Sequence, residues 1–84
     1  LGTNAITESQ KATIVYPNPT AGQIFLENSL HIETIEVYDA AGKLIERFQD
    51  SNTINLSELN NGIYFLKMTD IYDNSTLQKV VLVK

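Results

Sequence analysis

From Ile14 onward, short runs of alternating apolar and polar residues are each closed by a turn signal, at a spacing of roughly ten residues. Seven candidate strands follow, at 14–16, 23–28, 33–38, 43–49, 53–56, 62–69 and 77–83. The alternation is clearest in the middle of the chain. There Ile24 and Leu26 share one face, as do Ile35 and Val37, and then Ile54 and Leu56, with polar neighbours between them. Val, Ile, Thr, Tyr and Phe dominate these runs, and no long window keeps a helical period. The pattern predicts an all-β fold, a seven-stranded antiparallel immunoglobulin-like β-sandwich. Residues 1–13 (LGTNAITESQKAT) are polar and without period, and read as a linker leading into a domain over 14–84.

Four turns carry a mechanism. In Tyr16-Pro17-Asn18-Pro19-Thr20-Ala21-Gly22 two prolines fix φ and remove two backbone donors, so the first strand cannot continue as a central one. In Val37-Tyr38-Asp39-Ala40-Ala41-Gly42-Lys43-Leu44 an Asp opens a type I turn with Gly in the left-handed position, which predicts an antiparallel hairpin. Asp39 as a turn former outweighs Asp39 as a catalytic or metal carboxylate. Ser57 is expected to cap a single helical or 3₁₀ turn ending at Gly62, pinned by Leu56 and Leu59. The same stretch predicts a tyrosine corner, with the Tyr64 hydroxyl bonded to backbone a few residues upstream. The loop Asp70-Ile71-Tyr72-Asp73-Asn74-Ser75-Thr76 holds oxygen ligands for calcium in principle, but lacks the spacing of a dedicated calcium loop. A solvated hairpin loop is the default there. The glycines at 2, 22, 42 and 62 are evenly spaced, yet the segments after them do not match, so no internal repeat is inferred.

Composition narrows the function by exclusion. A domain of this size buries only about 60% of its unfolded surface, and with no cysteine, no disulfide or thiolate metal site supplements its core. Six Lys and Arg against ten Asp and Glu, for a net charge of −4, argue against nucleic acid. No apolar run approaches the roughly 18 residues that span a bilayer, so stable membrane insertion is not expected. The start at Leu1, with neither Met nor a leader, leads to the expectation that the chain is the tail of a longer protein. Catalytic sets are wanting: His31 stands alone, and Ser9, Ser29, Ser51, Ser57 and Ser75 lie in turns or linker outside any G-x-S-x-G context. There is no phosphate-cradling glycine loop. An enzyme is not expected, nor a cofactor or resident metal.

The turn and strand motifs matter as an ordered set. Tyr16-Pro17-Asn18-Pro19-Thr20 with Gly22 is followed by Ile35-Glu36-Val37-Tyr38-Asp39 with Gly42-Lys43. Then come Ile54-Asn55-Leu56-Ser57 with Leu59, Gly62, Ile63 and Tyr64, and finally Gln78-Lys79-Val80-Val81-Leu82-Val83-Lys84. In this order, over residues 14–84, the chain closely resembles the type A C-terminal sorting domain of the type IX (Por) secretion system of Bacteroidetes. The resemblance implies a domain behind a secreted or cell-surface passenger, recognised after inner-membrane export by the outer-membrane translocon. It further implies removal by a surface sortase within the linker, with the passenger released or attached to lipopolysaccharide. The end at Lys84 matches the usual terminus of that family.

By motif match, recognition weight falls on Tyr16, Pro17, Asn18, Pro19, Gly22, Asp39, Gly42, Gly62, Tyr64, Lys79 and Lys84. For the Pro, Gly and Asp positions, the simpler reading is that the fold needs those turns. Lys79 and Lys84 are better placed for direct contact, since exposed charges near a chain end contribute little to a fold. The strand at 77–83, as an edge, is open to reading by strand addition. The rival functions are an immunoglobulin-like adhesion or carbohydrate-binding module, which would want an exposed aromatic platform, and a structural spacer. Tyr72 is the one aromatic expected in an exposed loop.

Overall fold

The computed structural model describes residues 13–29 and 31–84, so the predicted linker, apart from Thr13, lies outside the described residues. The strands are β1 (Ile14–Tyr16), β2 (Gln23–Glu27), β3 (Ile32–Asp39), β4 (Leu44–Gln49), β5 (Thr53–Asn55), β6 (Gly62–Asp70) and β7 (Ser75–Leu82). All seven expected strands are present, with ends displaced by one or two residues.

Two antiparallel sheets form, one ordered β1-β2-β5 and the other β4-β3-β6-β7. Both are all-antiparallel, and the layering is that of an immunoglobulin-like sandwich. The fourth strand belongs to the larger sheet, where it pairs with β3 and leaves β2 to pair with β5. This arrangement makes β1 an edge, as the prolines after Tyr16 require.

The period-2 pattern translates directly into burial. Val15, Ile24, Leu26, Ile54 and Leu56 face inward from the smaller sheet. Ile35, Val37, Leu66, Met68, Val80 and Leu82 meet them from the larger one, with Ile32, Phe48 and Leu59 at the periphery. Fully burying an aliphatic side chain is worth about 1.5–3 kcal/mol, and this apolar layer is the main favourable term in so small a domain. β4 contributes least, with only Phe48 turned into the core.

The two hairpins of the larger sheet turn in the same way. In the first, the Ala41 and Lys43 N–H groups both donate to Asp39 Oδ1 at 2.9 Å, and the Asp39 N–H donates to the Lys43 carbonyl at 3.0 Å. In the second, Tyr72 and Asn74 donate to Asp70 Oδ1 at 2.9 and 2.8 Å, and the Asp70 N–H donates to the Asn74 carbonyl at 2.8 Å. Gly42 and Asp73 occupy the equivalent left-handed position, at φ +88° and +70°. Asp39 is thus a turn former, as expected, and Asp70 has the same role.

The expected helical turn after Leu56 is a correction. A single β-turn stands there, closed by the Leu59 N–H on the Leu56 carbonyl at 3.0 Å. The capping side chain is Asn55, two residues before Ser57: its Oδ1 accepts the Ser57 N–H at 2.9 Å, so the turn starts earlier than expected and closes at Leu59. Leu56 and Leu59 still pack on the core as predicted.

Candidate functional site

The proline-rich turn and the last strand, far apart in sequence, meet along one edge of the larger sheet. Odd-numbered residues of β7 direct their backbone groups away from β6, where an unpaired edge would leave them open. Over residues 79–83 that edge is taken. The Asn18 amide nitrogen donates to the Lys79 carbonyl at 2.8 Å, and its Oδ1 accepts the Val81 N–H at 3.0 Å. One step further, the Thr20 N–H donates to the Val81 carbonyl at 2.9 Å, and the Val83 N–H donates to the Thr20 carbonyl at 2.8 Å.

The chemistry of the segment fits this task. Pro17 and Pro19 have no N–H to offer, so an ordinary ladder through them is impossible. The Asn18 side chain is itself an amide with one donor and one acceptor group, and it stands in for the missing peptide. Both X–Pro bonds, Tyr16–Pro17 and Asn18–Pro19, are cis. Thr20 is buried at 2% exposure, and its hydroxyl donates to the Gln23 carbonyl at 2.7 Å while accepting the Gly22 N–H at 3.0 Å. Gly22 then lies so close to β5's exit that a Cβ there would stand 2.9 Å from Ser57 Cβ. Its carbonyl accepts the Leu56 N–H at 2.7 Å.

This geometry revises the expectation of an open edge over 77–83. Strand addition has free backbone only toward the start of β7, because the strap from Asn18 to Thr20 already pairs with residues 79–83.

The other motif residues fall into two groups. Tyr64 makes the predicted corner, its hydroxyl donating to the Asn60 carbonyl at 2.6 Å from a ring that is 8% exposed. Asp39 and Gly42 build the first hairpin turn and Gly62 opens β6. Lys79 is exposed on the outer face of β7. Lys84 is exposed but tied back, its N–H donating to Asn61 Oδ1 at 3.0 Å and its ammonium to the Ser57 carbonyl at 3.1 Å. Tyr16 lies on the outside of the smaller sheet, 45% exposed, with its ring centroid 5.7 Å from that of Phe25.

Sequence reasoning missed this aromatic pair. Phe25 stands between Ile24 and Leu26, and the alternation that buries those two turns it outward. It also missed the outer face of the larger sheet. There Glu36 receives Arg47 at 2.7 Å and the Tyr38 hydroxyl at 2.9 Å. The Arg47 hydrogen bond, and then that of Tyr38, hold the Glu36 carboxyl below the usual range.

Among the described residues no three of His, Cys, Asp and Glu gather as metal ligands. A shallow polar depression lined by Ser29, Ile32, Asp50, Ser51 and Asn52 presents one carboxylate and two hydroxyls.

No curated protein matches the chain. A family model described as the secretion system C-terminal sorting domain matches residues 14–84, every strand of the sandwich together with the strap that crosses its last edge. That family is one of sorting signals and not of enzymes, and its tails follow an N-terminal passenger into the type IX secretion machinery. The chain therefore belongs to the secretion system C-terminal sorting domains, and its function is that of a sorting signal for export across the outer membrane.

Proposed function

We propose that residues 14–84 are read by the type IX outer-membrane translocon as a folded unit, and that residues 1–13 join them to the passenger and receive the cut of a surface sortase. The passenger then reaches the cell surface or the medium. The observation that carries this reading is the strap: Asn18 and Thr20 hold residues 79–83 in place, so the early and late motifs form one surface. Tyr16, Pro17, Asn18, Pro19 and Gly22 shape that surface from one side. Lys79 and Lys84 supply charge from the other, while Asp39, Gly42, Gly62 and Tyr64 serve by keeping the sandwich folded.

The test compares two fusions to a reporter that already carries an inner-membrane export signal, in a type IX-competent host. One carries residues 1–84 and the other only the last-strand peptide 75–84. Export of the first alone is expected. Equal export of both contradicts a folded signal.

A further inference from the structure

The outer face of the larger sheet is assembled from residues that look unrelated along the chain. The register places Lys67 opposite Glu36 on β3 and opposite Leu77 on β7. Two residues along, Phe65 stands between Tyr38 and Lys79, and two beyond it Ile63 faces Val81. Leu77 is 62% exposed and Ile63 43%. Exposed apolar side chains thus share this face with lysines, the kind of polar-rimmed apolar surface that marks an interaction site.

Its charge runs against that of the whole chain. Arg47, Lys67 and Lys79 stand on this face around Glu36, whereas the chain as a whole carries −4. Glu36 is moreover already engaged by Arg47 and the Tyr38 hydroxyl. Among the described acidic residues, Asp50, Glu58 and Asp73 lie in turns and Glu27 on the smaller sheet.

We infer that this face docks a protein surface of the export machinery that carries carboxylates around an apolar centre. The inference rests on the sorting reading above and names the surface through which it works. Two other occupants fit less well. A second copy meeting the face about a two-fold axis would set cation against cation. A lipid surface would have to take up Lys67 and Lys79 with their apolar neighbours, because the two kinds of residue interleave across the sheet.

The experiment uses the reporter fusion of residues 1–84 with three variants: Lys67→Glu/Lys79→Glu, Ile63→Ser/Leu77→Ser, and Ile14→Ser on the opposite sheet. Thermal unfolding of each purified 84-residue chain shows whether it is folded. Export is expected to fall by about tenfold or more for the two outer-face variants, with melting close to wild type, since charge reversal sets like charges face to face and serine removes the apolar contact. Ile14→Ser is expected to export normally. Normal export of both folded outer-face variants overturns the docking face while leaving the sorting reading intact; a wild-type fusion held in the periplasm overturns both. Co-sedimentation of the wild-type chain with phosphatidylglycerol vesicles, lost on charge reversal, overturns a protein partner in favour of a membrane. A concentration-dependent dimer that Ile63→Ser/Leu77→Ser abolishes overturns it in favour of a second copy.

Discussion

Asn18 and Val81 are 63 residues apart, yet the Val81 N–H donates to the Asn18 side-chain oxygen at 3.0 Å while the nitrogen of the same amide reaches the Lys79 carbonyl at 2.8 Å. One side chain does the work of a peptide group on a strand edge that two prolines would otherwise leave unpaired. Asn18→Ala removes both bonds and leaves the edge to water. A loss of about 1–3 kcal/mol is expected, at roughly 0.5–1.5 kcal/mol for each of the two bonds. Urea unfolding measures the loss, and amide exchange should show Val81 among the most accelerated sites. An unchanged Val81 exchange rate would contradict the role assigned to Asn18.

How much of this was legible in the sequence depends on distance along the chain. Ile24 with Leu26, and Ile54 with Leu56, announce their strands because alternation is local. Asp39 and Gly42 announce their turn for the same reason, since the carboxylate bonds only its immediate successors. The tyrosine corner spans four residues, from Tyr64 to Asn60, and was equally visible. The turn after Leu56 departs from the expectation because Asn55 and Ser57 are both capping residue types, and the earlier of the two takes the role, a choice that propensity does not decide. The strap was invisible as a contact: Pro17-Asn18-Pro19 reads as a rigid corner, and nothing local says which strand it crosses. The cationic outer face needed the register of β3, β6 and β7, which no single strand encodes.

Gly22 is held by space as well as by conformation. With φ at +146° and a Cβ position 2.9 Å from Ser57 Cβ, it cannot accept a side chain unless β2 and the turn after β5 separate. Gly22→Ala is expected to cost about 1–3 kcal/mol, the usual penalty for overpacking. Thermal unfolding measures it, and a variant as stable as wild type would show that the contact is not tight.

Tyr64 offers a cleaner deletion. Tyr64→Phe keeps the buried ring and removes only the 2.6 Å hydrogen bond to the Asn60 carbonyl. A loss of about 1–2 kcal/mol is expected for a partly buried bond whose acceptor is left behind. Tyr72→Phe, on a side chain 65% exposed, should leave stability within about 0.5 kcal/mol of wild type. Equal effects from the two variants would remove the tyrosine corner from the account.

The matching hairpins predict a stabilising change. Asp73 adopts at φ +70° the conformation that Gly42 adopts at +88°, and a β-carbon is penalised there. Asp73→Gly is expected to gain about 0.5–1 kcal/mol after the added chain entropy of glycine is set against the relieved strain. A fall in melting temperature would contradict the equivalence of the two turns.

Glu36 gives the domain an acid-sensitive contribution. Its folded carboxyl lies below the ordinary 4.5 because Arg47 and Tyr38 hydrogen-bond its charged form. The stabilisation is therefore complete above the unfolded value and disappears as pH falls through the lower folded value. The stability difference between wild type and Glu36→Gln should stay level from neutral pH down to about 5, then shrink on further acidification. A difference that grows in acid would have the wrong sign.

The most direct measurement of the central claim is the location of a reporter fused ahead of residues 1–84, in a type IX-competent strain and in an isogenic strain lacking that secretion system. The account predicts reporter outside the outer membrane in the first and retained in the periplasm in the second. Reporter in the periplasm of both, or outside both, would contradict it.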